Sequence, residues 1–161
     1  MRSVDGGRSW EVITPAVDND GDESKMAELA DGSLLMSIRN RWKGWRKFAR
    51  SFDGGKSWTA VEHSSSLPDP ACNGDMLVLP DGRIVHSIND SHTHRCCVSL
   101  FVYDPVETVW RKTVEICPEP SSYSALCRLA DGRVGVLSEE LSPGHGLHIW
   151  FTSVDTGMFD L

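Results

Sequence analysis

The sequence has no long apolar segment and no excess of positive charge. No run approaches the roughly 20 apolar residues of a membrane-spanning helix. The first residues contain no hydrophobic segment, so we expect no signal peptide in this chain, and the sequence leaves its compartment open. Lys and Arg number 16 against 23 Asp and Glu, which gives a net charge of −7. That balance argues against a nucleic-acid-binding protein held by phosphate contacts.

Cysteine is scarce, and no pair has ligand spacing. The five cysteines are Cys72, Cys96, Cys97, Cys117 and Cys127. An odd number without a C-x-x-C pair predicts neither a zinc site nor a complete disulfide framework. We expect Cys96 and Cys97 to be a buried, unbonded pair, because a bridge between neighbours strains the peptide. His92 and His94 have no third ligand in register, so we interpret them as loop histidines and expect no metal or cofactor.

A repeat of 50 residues organises the chain, whose 161 residues are enough for one domain (1–161). Three segments share a Leu-x-Asp-Gly core with aspartates at Asp31, Asp81 and Asp131. Asp-Gly between apolar runs is a strong hairpin signal, since glycine accepts the positive φ of a tight primed turn. Each segment therefore predicts a strand, a turn and a second strand.

A second turn motif alternates with the first. Ser-x-Asp-Gly-Gly-x-Ser-Trp stands around Asp5 and Asp53, and a degraded copy surrounds Asp104. Two hairpins per period predict four strands per period, which is typical of a β-propeller blade. An antiparallel sandwich is the alternative, but it has no reason to keep a 50-residue period. We predict an all-β partial propeller of about three four-stranded blades; closed propellers have about four to eight, so we expect the N-terminal blades to be missing.

Polar residues recur at equal distances from each Asp-Gly turn. Eight residues before and after the three turns, the pairs are Glu23 with Arg39, Asn73 with Asn89, and Tyr123 with Glu139. Residues equidistant from a hairpin turn lie near one another across the two strands. Propeller symmetry would bring the open ends of these hairpins to one mouth, unless a bulge changes the register.

The chemistry of these residues leaves two interpretations open. Glu23 and Arg39 are compatible with a solvated ion pair, and Tyr123 with an ordinary packing residue. Alternatively Glu23 takes the proton of the Tyr123 phenol, whose normal pKa of about 10 is too high for attack at neutral pH. Arg95, in a polar stretch after the second hairpin, would then join Arg39 in an anion-binding site.

Taken together, these segments resemble the C-terminal half of exo-α-sialidases (neuraminidases), which are six-bladed propellers that remove terminal sialic acids. The Ser-x-Asp-Gly-Gly-x-Ser-Trp turns resemble the Asp boxes (BNR repeats) of that family. Four further segments occur in family order: 22–29 with Glu23, 35–39 with Arg39, Arg95, and 122–126 with Tyr123 followed by 135–139 with Glu139. The resemblance extends from about residue 3 to 154.

The resemblance implies a retaining glycosidase that acts on sialylated glycans. It implies that Tyr123 is the nucleophile, that Glu23 activates it, and that Arg39 and Arg95 bind the substrate carboxylate; Asn73 and Glu139 are further candidate substrate-binding residues. A tyrosine nucleophile is a known exception among glycosidases.

Two groups of the family site have no counterpart here. The first arginine of the triad, which the residue matching Glu139 steadies, and the acid/base aspartate both precede the first Asp boxes in the family. We therefore expect a truncated or split sialidase that is weak or inactive in isolation. A non-catalytic glycan- or protein-binding propeller segment is the alternative. A third is a structural role in which another chain, or a second copy, completes the ring.

Overall fold

The protein, seen in a computed structural model that describes residues 1–13, 17–142 and 144–161, is built almost entirely of antiparallel strands. In chain order the strands are β1 (Gly21–Glu28), β2 (Leu34–Asn40), β3 (Gly44–Ser51), β4 (Glu62–Asp69), β5 (Asp75–Val78), β6 (Ile84–Asn89), β7 (Cys96–Asp104), β8 (Val109–Arg128), β9 (Val134–Ser142) and β10 (Gly146–Val154). A short 3-10 helix, Thr156–Phe159, follows β10. No helix among the described residues is long and apolar enough to cross a membrane.

The strands form three consecutive blades. Strands β1 to β4 make the first blade, and β5 to β10 form one continuous six-stranded sheet. The long strand β8 joins the second and third blades, because its residues 109–120 pair with β7 and its residues 121–128 pair with β9. The all-β partial propeller is thus confirmed. The third blade has three described strands rather than four, since the chain turns into the 3-10 helix after β10 and buries Phe159 in the core.

The three Asp-Gly hairpins form at the predicted positions but with a different turn. Only the glycine of each turn has a positive φ, at 78° for Gly32, 89° for Gly82 and 90° for Gly132. In the first turn Gly32 donates to the Leu29 carbonyl at 2.9 Å and Leu29 donates to the Ser33 carbonyl at 2.8 Å. These bonds define a three-residue loop, so the prediction of a primed two-residue turn is wrong.

The Asp boxes are turns held together by one carboxylate. Asp53 accepts the Ser57 amide at 2.9 Å and the Ser57 hydroxyl at 2.7 Å, together with bonds from Ser51 and the Lys56 amide. Asp5 makes matching bonds to Ser9 and Ser3. Hydrogen bonds from Ser9 lower the pKa of Asp5 to about 2. The donors explain the serines around each aspartate, and the positive φ of Gly54 (68°) and Gly55 (84°) explains the glycines.

Two apolar clusters pack the blades side by side. Leu67, Ile88 and Trp110 belong to the cluster between the first and second blades, and Leu100 and Val136 to the one between the second and third. Strand β6 is buried along its whole length because it lies between both clusters. This packing fixes the angle between blades and therefore the relative positions of the hairpin ends.

The cysteines and loop histidines form no metal site among the described residues. All five thiols are free. The Sγ atoms of Cys96 and Cys97 lie 2.9 Å apart, but both residues are half-buried rather than buried as expected. They begin strand β7, where solvent reaches them. The His92 ring instead packs edge-on against Trp45, with centroids 4.3 Å apart.

Candidate active site

The open ends of the hairpins lie where two β-bulges interrupt the pairing. The regular pairs Ser24–Ile38 and Ser124–Ser138 have the register that the eight-residue count requires. Immediately beyond them, bulges occur between Gly21 and Ser24 and between Ser121 and Ser124. Bulges re-aim side chains near functional sites. Here they fall at the segments that carry Glu23 and Tyr123.

Glu23, Arg39 and Tyr123 form one hydrogen-bonded cluster across the first and third blades. The Tyr123 hydroxyl donates to Glu23 Oε1 at 2.7 Å. Arg39 Nη1 donates to the same hydroxyl at 3.2 Å and pairs with Glu23 Oε2. The structure therefore brings together three residues that are distant in sequence. Solvent reaches the cluster through Glu23, whose side chain is 40% exposed, whereas that of Arg39 is only 13% exposed.

The cluster stabilises a neutral phenol and an ionised carboxylate. Burial disfavours the charged form of Glu23, but the hydrogen bonds from Tyr123 and Arg39 outweigh it and lower the pKa of the carboxyl group. The hydrogen bond to Glu23, with burial second, raises the pKa of Tyr123 above its usual value. The proton therefore belongs to the tyrosine at neutral pH.

Arg95 approaches the same tyrosine from the second blade. Its guanidinium carbon lies 5.7 Å from the centroid of the Tyr123 ring. Nη2 donates to the carbonyl of Ala71 at 2.8 Å, and Nη1 lies 3.5 Å from the Ser122 hydroxyl. Arg39 and Arg95 thus approach Tyr123 from two sides. Arg39 Nε is buried with no hydrogen-bond partner among the described residues.

The two further candidate substrate-binding residues, Glu139 and Asn73, differ in their contacts. Glu139 Oε2 accepts the backbone amide of Tyr123 at 3.3 Å, so it supports the backbone at Tyr123. The Oδ1 atoms of Asn73 and Asn89 are buried with no hydrogen-bond partner among the described residues. Asn89 Nδ2 donates to Ser121 Oγ at 3.1 Å, and no bond between the two asparagine side chains occurs in the described part of the chain.

Sequence reasoning missed a buried ion pair beneath this cluster. The side chains of Arg46 and Asp69 are both 0% exposed, and Arg46 Nη1 lies 3.1 Å from Asp69 Oδ2. Asp69 Oδ2 also accepts the backbone amide of Asn40 at 2.8 Å. Neither residue belongs to the repeated pattern around the Asp-Gly turns. The only signal in the sequence is a charged residue at an inward-facing position of a strand.

The Asp boxes, the blades and the convergence of hairpin ends on one mouth define a segment of an Asp-box β-propeller. Residues 1–136 match the BNR repeat-like domain family. The chain belongs to this family.

Curated relatives of this chain are sialidases and are much longer than it is. A sialidase of Micromonospora viridifaciens is 34% identical over 155 residues, which cover 90% of this chain and 23% of the relative. The chain spans about a quarter or less of the length of the curated relatives it matches.

Solved structures share the fold at low identity. The NanB sialidase of Streptococcus pneumoniae superposes with a TM-score of 0.77 at 21% identity, over 97% of this chain and 27% of that one. An intramolecular trans-sialidase of Ruminococcus gnavus gives a TM-score of 0.74 at 20% identity, over 99% of this chain and 38% of that one.

Proposed function

We propose that this chain carries the nucleophile side of a retaining sialidase-type active site for sialylated glycans. The observation that carries the proposal is the 2.7 Å hydrogen bond from the Tyr123 hydroxyl to Glu23, beside two arginines. A tyrosine activated by a carboxylate is the nucleophile arrangement of sialidases, and the pair of arginines suits the carboxylate of a sialic acid.

In the proposed reaction, Tyr123 Oη attacks the anomeric carbon while its proton passes to Glu23 Oε1. The bond from the anomeric carbon to the aglycone oxygen breaks, the aglycone oxygen takes a proton from solvent, and a covalent glycosyl-tyrosine forms. Water then attacks the anomeric carbon and gives a proton to solvent. The bond to Tyr123 Oη breaks with overall retention, and Glu23 returns the proton to the tyrosine. An intramolecular attack by a hydroxyl of the sugar, in place of water, would give transfer instead of hydrolysis.

A neutral phenol suits an anionic substrate. A carboxylate nucleophile would repel the carboxylate next to the reacting carbon, whereas a phenol carries no charge until its proton leaves. Substrate binding also prepares the base. When the substrate carboxylate pairs with Arg39, Glu23 loses part of the interaction that lowers its pKa and becomes a stronger base.

Catalysis by this chain alone is proposed to be weak or absent. The sialidase resemblance puts an acid/base aspartate and a further arginine before the first Asp box, and no segment of this chain matches them. Loss of a general acid typically lowers the rate by about 10²–10⁴. Glu139, whose family counterpart holds that arginine, here bonds the Tyr123 amide, so its proposed role is to support the nucleophile segment.

A fluorogenic sialoside with a good leaving group tests the proposal, because it needs little acid assistance. We expect slow turnover by the wild type and none by Tyr123→Phe. The second measurement is mass spectrometry of the Tyr123 peptide, which should carry the added mass of the covalent glycosyl group. Turnover that survives unchanged in Tyr123→Phe would show that the nucleophile is assigned wrongly.

A non-catalytic glycan-binding segment is the second candidate, favoured by the lowered pKa of Glu23, which makes this carboxylate a weak base toward Tyr123. It predicts sialoside binding that survives Tyr123→Phe, with no turnover even of activated substrates. Titration of both proteins with a sialoside separates the two candidates.

We further propose that the outer face of the third blade is covered by another chain or a second copy. Strand β10 is the edge of the six-stranded sheet, and edge strands present unpaired backbone groups. Large apolar side chains here are exposed, namely Leu147, Ile149, Trp150 and Phe151 on β10. Apolar exposure of this extent marks an interaction surface.

A further inference from the structure

The two arginines at the mouth are held by backbone groups that converge on one buried carboxylate. Asp69 Oδ2 accepts the amide of Asn40 at 2.8 Å, and Asn40 directly follows Arg39. Asp69 Oδ1 accepts the amide of Cys72 at 3.1 Å. The carbonyl of Ala71, next to Cys72, accepts the Arg95 guanidinium. One side chain therefore contacts both arginine supports.

Arg46 completes this arrangement from below. Its Nη1 donates to Asp69 Oδ2 and to the Cys72 carbonyl, both at 3.1 Å. Its Nε donates to the Ser37 hydroxyl at 2.8 Å. Burying a charge is costly unless it is paired and hydrogen-bonded, and a well-packed apolar pair could often replace such an ion pair without loss of stability. Stability alone therefore does not explain why Arg46 and Asp69 occupy these buried positions.

The turn that the ion pair holds is a strained one. Ala71 has φ 61°, in the left-handed region that disfavours alanine. Such a conformation persists only where the surroundings enforce it. The Cys72 amide donates to Asp69 and the Cys72 carbonyl accepts from Arg46, and these two bonds enforce it here. They also aim the neighbouring Ala71 carbonyl at Arg95.

We infer that the buried pair Arg46–Asp69 positions Arg39 and Arg95 for recognition of the substrate carboxylate. Both are positioning residues: they act through the backbone at Asn40 and Ala71 and touch no ligand. This inference rests on the proposed function, since it assumes that the two arginines bind the carboxylate.

The test compares binding of N-acetylneuraminic acid with binding of its methyl ester, which lacks the negative charge. Wild type should prefer the acid, and Asp69→Asn should reduce that preference by about tenfold, as expected when charge-assisted bonds are misaligned. A merely structural change would weaken both ligands alike and leave the ratio unchanged.

The matched control is Asp31→Asn. Asp31 pairs with Arg50 at the same 3.1 Å distance, but the pair is exposed and lies at the turn end of the first hairpin. Asparagine keeps the Oδ1 acceptor for the Ser33 amide. This variant should keep the full preference for the acid.

If Asp69→Asn does not fold, the same binding comparison is made with Arg46→Lys. Lysine keeps the buried charge but loses the planar guanidinium that bonds several acceptors. A folded Arg46→Lys, or Asp69→Asn, that retains the wild-type ratio overturns the positioning role. If the wild type itself binds acid and ester equally, the arginine site of the proposed function is wrong instead.

Discussion

Tyr123 and Glu23 are separated by 100 residues and joined by a hydrogen bond of 2.7 Å. Because the bond crosses from the third blade to the first, it exists only when all three blades pack correctly. The protonation of the pair therefore reports the geometry of the whole mouth.

The first prediction concerns the titration of Tyr123. The neighbouring carboxylate raises the pKa of this phenol above the usual value near 10, and Glu23→Gln removes the negative charge while leaving Arg39 beside the hydroxyl. We expect the pKa of Tyr123 to fall in Glu23→Gln. The chain has only two tyrosines, so ultraviolet absorbance of the phenolate in a Tyr103→Phe background follows Tyr123 alone.

Asp22→Asn is the control for this titration. It removes a charge one residue away from Glu23, and Asp22 makes no side-chain contact to the tyrosine among the described residues. An unchanged Tyr123 pKa in Glu23→Gln would contradict the hydrogen bond.

The repeat made much of this site predictable. Equal spacing from the Asp-Gly turns placed Glu23 opposite Arg39, and hairpin pairing depends only on that local count. The observed pair Ser24–Ile38 keeps the same register. The fixed 50-residue period indicates that the blades repeat regularly around one axis. The ends of the first and third hairpins were therefore expected to meet.

The sequence did not predict the buried ion pair Arg46–Asp69, which supports the backbone at the mouth. Arg46 and Asp69 lie on different strands at positions without a repeat, and their contacts depend on side-chain packing between blades rather than on spacing. The turn type was also wrong, because Asp-Gly is compatible with several loops and the length of the loop is set by pairing of the flanking strands. Periodicity encodes the frame of the propeller but not its interior polar contacts.

A second prediction concerns Gly74, which lies against strand β6. A Cβ atom here would lie 2.4 Å from the Ser87 carbonyl oxygen and 2.9 Å from the His86 ring. We expect Gly74→Ala to lower the free energy of unfolding by about 3 kcal/mol or more, since backbone cannot yield as a side chain can. Urea unfolding followed by tryptophan fluorescence measures it.

Gly144→Ala is the comparison for Gly74→Ala. Gly144 has φ 80° and open space around it, so alanine there meets only the backbone penalty of about 1–2 kcal/mol. Equal or smaller destabilisation at Gly74 would show that the segment before β5 does not approach β6 as closely as described.

A third prediction concerns the exposed face of β10. Ile149 is 73% exposed on an edge strand, and a lysine there opposes pairing with another chain. We expect the wild-type chain to self-associate as its concentration rises and the Ile149→Lys variant to self-associate less. Size-exclusion chromatography with light scattering measures both. Lys is also introduced at Val106, which is 89% exposed on the β7–β8 turn, as a control that should leave association unchanged. A wild type that stays monomeric at all concentrations contradicts the proposed partner surface.

The last prediction concerns the pH dependence of stability and centres on His86. This ring is fully buried, and its Nε2 lies 2.7 Å from the Ser37 hydroxyl, next to Arg46. Burial, with the Arg46 charge second, holds the pKa of His86 well below 6.5 in the folded protein. The unfolded chain takes up a proton below about pH 6.5 and the folded chain does not. The stability that the neutral ring contributes is therefore complete above that pH and is lost as the pH falls.

Wild type should thus lose up to about 1.4 kcal/mol of unfolding free energy per pH unit below pH 6.5 through this one group. His86→Gln keeps a polar partner for Ser37 but cannot titrate, so its stability should vary less with pH by that amount. Urea unfolding of both proteins between pH 7.5 and 5.5, with the exposed His94→Gln as control, measures the difference in slope. If the unfolding free energies of wild type and His86→Gln change equally with pH, then His86 takes up a proton in the folded protein. That result would contradict the buried position of His86 beside Ser37 and Arg46.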